Sequence, residues 1–169
     1  RAVHPDAHIA WMIRPAFADA VRGHRELDEV IEFDRKHFGR AWYSPVALGD
    51  LAAWLWELGE RRFDTVVDLQ GLFRTGFFSL VTRARQRAGF ARAREFGWLF
   101  YNATVRYDGD VVHAVDRNYR FAELLGFADV TPTFELPITD ADRASAAAVL
   151  GEQGGRPGEP FAVLAPGSN

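Results

Sequence analysis

The sequence predicts an α/β domain in which helices flank a mostly parallel sheet. The chain has 169 residues, which is enough for one compact domain with a hydrophobic core. Hydrophobic residues make up 48% and charged residues 25%, as is usual for a soluble globular protein. Short apolar runs alternate along the chain with stretches of helical period, and this alternation is typical of folds with a parallel sheet.

Four apolar runs within residues 1–150 predict strands, and they cover residues 8–13, 28–33, 63–70 and 87–90; a fifth predicted strand begins at Phe161. Each run is short and is followed by a turn or by the start of a helical stretch. In sheets of this kind, ligands bind beyond the carboxyl ends of the strands. The residues that follow each run are therefore the first candidates for a functional site.

Helical stretches lie between and after these runs. One predicted helix begins at Pro15 and a second begins at Pro45. Four more are predicted over residues 72–82, 94–102, 113–125 and 140–150. Ser44 and Thr139 are predicted N-caps, because their hydroxyls can accept a hydrogen bond from the first turn. In the second helix, apolar residues recur at helical spacing and predict one buried face; they are Leu51, Trp54, Leu55 and Leu58.

The composition excludes several classes of function. The net charge of −3 argues against a general nucleic-acid binder, which is usually basic. The chain has no cysteine, so disulfides and thiolate metal sites are excluded. No apolar run approaches the roughly 18 residues of a membrane-spanning helix.

The stretch DLQGLFRTG, residues 68–76, carries polar side chains at the end of the third strand. A carboxylate in a buried strand is costly unless it is paired, so we expect Asp68 to be held by Arg74 or by the first backbone donors of the next helix. Gln70 and Gly71 fit an ordinary turn, and they also fit the edge of a ligand site. Pattern alone favours the turn.

Two cationic segments follow this stretch. Residues 83–94 hold five arginines and are predicted to be mostly solvated, except that Arg94 opens a short aromatic helix and can reach an anionic ligand. His113 and Arg117 are four residues apart and lie on one helical face. For His113 a helix cap, a general base and an anion ligand all stay open, with a structural role favoured.

Two further segments are candidates on composition. Residues 34–42 combine Arg35, Lys36 and Arg40 with Trp42, which suits an anionic or sugar ligand but also an exposed loop. At the end of the chain, Gly167 and Ser168 form a turn after a predicted strand. Such a turn offers backbone N–H groups to a phosphate.

Together these segments resemble glycosyltransferase family 9, the ADP-heptose:lipopolysaccharide heptosyltransferases. FDTVVDLQGLFRTG resembles the family pattern YDxVIDxQGLxKS, AREFGWLFYN resembles AREPxASLFYN, and HAVDRN resembles HAVER. VIEFDRKHFGRAW resembles the family loop that ends in RKAW, and FAVLAPGSN resembles the opening of the family's nucleotide-binding domain. The five matches keep one order over roughly residues 8–169 and are nearest to heptosyltransferase I.

The resemblance implies a GT-B fold, in which two Rossmann-like domains face each other across a cleft. Residues 1–150 would be the N-terminal, acceptor-binding domain without its first strand and helix. Residues 151–160, rich in glycine and proline, would be the linker. Residues 161–169 would be the opening strand and turn of the truncated nucleotide-sugar-binding domain.

The resemblance also implies a reaction, the inverting transfer of heptose from ADP-heptose to a Kdo sugar of the lipopolysaccharide inner core. It implies that this chemistry requires no metal ion and no organic cofactor. The family's catalytic base is an aspartate in a Gly-Asp motif after the first strand. No residue of this chain matches it, so we expect no catalytic residue here and no activity from the chain alone. A Kdo-lipid A type acceptor implies a cytoplasmic protein in peripheral contact with the inner membrane face.

The resemblance assigns the following roles to individual residues. Arg94 and Arg117 are the first candidates for binding the anionic acceptor, followed by Arg40 and Lys36. Gln70, Gly71 and His113 would also lie on the acceptor side, and Gly167 and Ser168 would bind the donor diphosphate.

Two alternatives remain open. The chain can belong to a heptosyltransferase II-like enzyme, or to a member of the same family that uses another nucleotide sugar, because PGSN departs from the heptosyltransferase I form. It can also belong to a non-catalytic homologue or binding module. The sequence upstream of Arg1 would decide between the enzyme and the binding module.

Overall fold

The computed structural model describes residues 4–107, 113–127, 131, 133–155, 159–162 and 164. Within these ranges the strands are β1 (Ala10–Ile13), β2 (Glu29–Glu32), β3 (Thr65–Val67), β4 (Gln86–Phe90) and β5 (Ala103–Val105). The α helices are α1 (Arg35–Phe38), α2 (Pro45–Glu60), α3 (Phe73–Val81), α4 (Ala114–Leu124) and α5 (Asp140–Glu152). Two segments, Pro15–Ala20 and Arg94–Phe100, are 3-10 helices.

The chain folds into two compact units. The larger unit consists of residues 1–7 and 32–134, and the smaller unit consists of residues 8–31 and 135–169. None of the helices in the described ranges is long and apolar enough to cross a membrane.

The larger unit is built on a three-stranded parallel sheet with the strand order β3-β4-β5. Val67 is aligned with Ala88, and Ala88 in turn with Ala103, so the three strands run in close register. Its core contains Ala88, Phe90 and Val105 of the sheet, together with Phe121 of α4. The expected α/β class, with a parallel sheet flanked by helices, is confirmed.

An asparagine side chain fastens the beginning of β5 to β4. The Asn102 side-chain oxygen accepts a hydrogen bond from the Arg87 amide at 2.8 Å, and its Nδ2 donates to the Arg85 carbonyl at 2.7 Å. The Asn102 backbone N–H also donates to the Arg87 carbonyl at 3.0 Å. The side-chain amide therefore acts as an additional peptide group in the ladder of hydrogen bonds.

A cluster of aromatic rings joins the end of β2 to α2 and α3 within the larger unit. Phe33 lies 5.1 Å from Trp54 of α2 and 4.8 Å from Phe78 of α3, measured between ring centroids. Phe38 of α1 packs on Phe33 at 5.2 Å. The predicted N-cap of α2 is confirmed, because the Ser44 hydroxyl accepts a hydrogen bond from the Ala47 amide.

The smaller unit contains the two-stranded sheet of β1 and β2 as far as Ile31, together with α5. The side chain of Asp28 accepts the Ile9 amide at 2.7 Å, and Arg25 forms an ion pair with Glu135 at 3.1 Å. α5 begins at the predicted Thr139 cap and ends two residues after the predicted boundary at 150.

Three elements differ from the prediction. The helix expected from Pro15 is only a six-residue 3-10 helix that ends at Ala20. Gly23, three residues later, has the left-handed φ of 81°. Part of the predicted loop 34–42 forms α1, because the Asp34 carboxylate accepts hydrogen bonds from two backbone amides of its first turn. β5 was not predicted, because its three residues directly follow the helical stretch expected over 94–102 and form no separate apolar run.

Candidate functional site

The carboxyl ends of the three parallel strands meet at one edge of the sheet. Residues 68–71 follow β3, residues 91–94 follow β4, and Arg106 and Tyr107 follow β5. Because ligands of parallel α/β sheets bind at this edge, the predicted candidates Gln70, Gly71 and Arg94 are in the expected place.

Asp68 closes the turn that follows β3. Its side chain is 6% exposed, and one carboxylate oxygen accepts the backbone N–H groups of Gln70 at 2.9 Å and Gly71 at 3.0 Å. The other oxygen accepts the hydroxyl of Tyr101 at 2.6 Å. Backbone donors therefore hold this acid, but they belong to the turn that precedes α3 and not, as was expected, to the first turn of the helix. The tyrosine was not foreseen.

Gly71 holds the turn in a conformation that suits glycine. Its φ is +69°, in the left-handed region where a side chain is strained. A methyl group added here would lie 3.5 Å from the Phe90 ring and 3.6 Å from the Ala93 side chain. The turn therefore packs directly against the end of β4, while the side chain of Gln70 is exposed at its tip.

Arg117 reaches the same edge from α4. Its guanidinium carbon lies 4.8 Å from the ring centroid of Phe90 and 5.8 Å from that of Tyr107, which are cation–π distances. Its Nε is buried and has no hydrogen-bond partner within the part of the chain that the structure describes. Gly71 and Arg117 therefore both lie against Phe90, which brings two of the predicted residues together.

Arg94 lies next to the site because the preceding residue in the chain, Ala93, contacts Gly71. It is exposed and opens the 3-10 segment directly after Ala93, the residue that lies against Gly71. Glu95 and Phe96 have φ values of 53° and 63°, so the segment is two short turns separated by a left-handed kink. The aromatic helix predicted here is therefore kinked and short.

His113 caps α4. Its ring nitrogen Nδ1 accepts the backbone N–H of Val115 at 3.3 Å, and the side chain is exposed. Of the three roles left open by the sequence, the helix cap is the one for which the structure shows a contact. The histidine thereby fixes the start of the helix that carries Arg117.

The cationic segment 34–42 is held by α1 and α2. A hydrogen bond from the backbone N–H of His37 holds the pKa of Asp34 below its usual range, and the charge of Arg40 makes a smaller contribution. His37 also lies 2.7 Å from Asp50 of α2. Lys36 and Arg40 are exposed, so their cationic groups face solvent from a segment that contains α1 and contacts α2.

Sequence reasoning missed Tyr101 and Phe90. Tyr101 is separated from Asp68 by 33 residues, and no local pattern reports a contact over that distance. The one signal was the FYN match, which contains Tyr101. Gly167 and Ser168 lie outside the described residues, so their role stays a prediction.

Comparisons with known proteins agree with this architecture. The family model "Glycosyltransferase family 9 (heptosyltransferase)" matches residues 52–169. The lipopolysaccharide core heptosyltransferase OpsX of Haemophilus influenzae is 35% identical over 96 residues, which are 56% of this chain and 27% of that protein. Lipopolysaccharide heptosyltransferase 1 of Escherichia coli K12 is 28% identical over 130 residues, 73% of this chain and 40% of that protein.

The fold is also similar to a solved structure, that of E. coli heptosyltransferase WaaC with ADP-2-deoxy-2-fluoro heptose. The TM-score is 0.66 at 27% identity, over 78% of this chain and 43% of the WaaC chain. The chain thus spans less than half the length of the relatives it matches, in keeping with the expected half of a GT-B fold. Since the family model covers more than half of the chain, the protein belongs to glycosyltransferase family 9, the heptosyltransferases.

Proposed function

We propose that the complete protein transfers heptose from ADP-heptose to a Kdo sugar of the lipopolysaccharide inner core, with inversion. In this proposal the larger unit supplies the acceptor side of the site. The observation that carries the assignment is Arg117, whose guanidinium lies on aromatic rings at the carboxyl edge of the sheet.

The chemistry of the acceptor explains why such an arginine is needed. Kdo sugars carry carboxylates and lipid A carries phosphates, so the acceptor is a polyanion. A guanidinium can donate two parallel hydrogen bonds to such groups, and those bonds are stronger than neutral ones. The rings of Phe90 and Tyr107 limit the motion of Arg117, so less side-chain entropy is lost when the acceptor binds.

The neighbouring residues complete the proposed acceptor surface. Arg94 is exposed after the end of β4 and adds a second cation, and the exposed Gln70 adds an amide that can donate to a sugar hydroxyl. Gly71 leaves the turn without a side chain, so a sugar can approach its backbone closely. Lys36 and Arg40 would contact the more distant anionic groups of the lipid.

The donor assignment rests on the relatives. One solved WaaC structure holds ADP and another holds ADP-2-deoxy-2-fluoro heptose. We therefore propose ADP-heptose as the donor here, with the backbone of Gly167 and Ser168 near its diphosphate. A soluble nucleotide sugar and a lipid acceptor also suit a cytoplasmic protein that works at the inner membrane face.

The test is a transfer assay of the complete protein with ADP-heptose and a Kdo-bearing lipid A. We expect transfer, and we expect Arg117→Ala to raise the acceptor KM about 10- to 100-fold, because charge-assisted hydrogen bonds are lost. The donor KM should not change. Arg120→Ala is the matched control, since Arg120 is exposed on the same helix and lies 3.6 Å from Glu123.

Three results would contradict the proposal. If the complete protein leaves ADP-heptose intact in the presence of acceptor, the reaction is wrong. If it consumes a different nucleotide sugar, the donor is wrong. If the two arginine variants affect the acceptor KM equally, the role of Arg117 is wrong.

A further inference from the structure

The buried carboxylate of Asp68 is shared between the turn that follows β3 and the hydroxyl of Tyr101. One oxygen accepts two backbone N–H groups, at 2.9 and 3.0 Å, and the other accepts the tyrosine hydroxyl at 2.6 Å. The hydroxyl hydrogen bond is short, as expected for a donor to an ionised oxygen. The carboxylate therefore links the Tyr101 hydroxyl to the backbone of the turn.

The ring of Tyr101 is itself firmly located. It fills the space that a side chain at Gly89 of β4 would need, and its hydroxyl oxygen lies 3.3 Å from the position of a methyl group added at Gly97. Burial, followed by the hydrogen bond to Asp68, raises the pKa of Tyr101 above its usual range. The hydroxyl is therefore protonated at neutral pH, where it can donate to Asp68.

The turn transmits this position to the proposed acceptor residues. Gly71 packs on Phe90 and Ala93, Phe90 lies beneath the guanidinium of Arg117, and Ala93 precedes Arg94. A shift of the turn would therefore expose or displace the aromatic face on which Arg117 rests.

We infer that Tyr101 is a positioning residue for acceptor binding, which acts through Asp68 to hold the Gln70–Gly71 turn against Phe90. Tyr101 does not touch the acceptor. This inference rests on the proposed function, because it concerns the same acceptor surface.

The experiment compares Tyr101→Phe with Tyr119→Phe in the complete protein. Both substitutions remove one hydroxyl, but Tyr119 lies 37% exposed on α4 and serves as the control. Two quantities are measured, namely hydrogen–deuterium exchange of the amides of residues 70 and 71, and the KM values for Kdo-lipid A and ADP-heptose.

We expect Tyr101→Phe to speed exchange at both amides and to raise the acceptor KM about five- to tenfold, since a hydrogen bond to a buried charge is lost. The donor KM should stay constant, and Tyr119→Phe should resemble the wild type. Asp68→Asn should be milder than Asp68→Ala, because the asparagine oxygen still accepts from the turn and its amide can donate to the Tyr101 oxygen.

A purely structural tyrosine predicts a different pattern. Both KM values and kcat would then change together in step with the loss of thermal stability, and this result would overturn the inference. Unchanged exchange at residues 70 and 71 would overturn it as well. If the wild-type protein transfers no heptose while Tyr101→Phe still speeds exchange, the turn is positioned as inferred and the proposed function is what fails.

Discussion

At the scale of single residues, the structure separates groups that hold the site from groups that face it. Asp68 and His113 have the side chains of catalytic residues, but the contacts of each are structural, in a turn and at a helix cap respectively. Arg117 shows the reverse pattern, because its Nε has no partner among the described residues. In the proposed function, this arginine is the residue that binds the anionic acceptor.

The left-handed conformation of Gly71 leads to a prediction at this scale. We expect Gly71→Ala to lower the free energy of unfolding by about 1–2 kcal/mol, because a side chain is strained at this φ. Gly126→Ala, at φ 79° with no atom near the added methyl group, should cost a similar amount. Denaturant-induced unfolding measures the free energy of unfolding of both variants relative to the wild type.

The two variants should differ in function. Only Gly71→Ala should raise the acceptor KM, because only Gly71 packs against the site. A fully stable Gly71→Ala variant would be inconsistent with the left-handed turn.

At the scale of elements, two helix caps were predicted, whereas the short elements α1 and β5 were not. Ser44 and Thr139 were recognised because a hydroxyl before a helical stretch satisfies an amide in the first turn. α1 and β5 have four and three residues, and contacts from outside the segment stabilise them. Asn102 secures β5, and no local sequence pattern predicts that contact.

The capping box of α5 leads to a prediction about pH. Hydrogen bonds from the Thr139 hydroxyl and amide hold the pKa of Asp142 below its usual range. Because the pKa is lowered by folding, the carboxylate stabilises α5 above the unfolded pKa, near 3.8. This stabilisation is lost as the pH falls through the folded value.

The Asp142 carboxyl carbon, followed by NMR against pH, measures this effect. Thr139→Ala should return the midpoint to the ordinary range, and Thr139→Ser should keep it low because the hydroxyl remains. Equal midpoints in the two variants would show that the hydroxyl does not lower the pKa.

At the scale of the whole molecule, the sequence predicted the fold class, four strands and the edge at which the candidate residues lie. These features depend on local periodicity and on a general rule of parallel sheets. The contact of Tyr101 with Asp68 and the stacking of Arg117 on Phe90 join distant parts of the chain. They arise only when the sheet has formed, so composition and spacing carry no record of them.

The proposed division of labour predicts the behaviour of the 169-residue chain by itself. We expect no release of ADP from ADP-heptose, because the resemblance to the family implies that the catalytic base lies outside these residues. A Kdo saccharide should nevertheless perturb the NMR signals of the Arg117 side chain. The complete protein is the positive control, and ADP release by the chain alone would contradict this division.

Deamidation of Asn102 would affect the sheet of the larger unit. The side-chain amide of Asn102 donates to the Arg85 carbonyl, a bond that an aspartate carboxylate cannot make because it has no hydrogen to donate. Slow hydrolysis of asparagine to aspartate would place two oxygens opposite each other and would weaken the start of β5. The other end of β5 leads to Tyr107, one of the two rings against Arg117. Deamidation of Asn102 would therefore loosen the start of the strand that ends two residues before a ring of the proposed acceptor site.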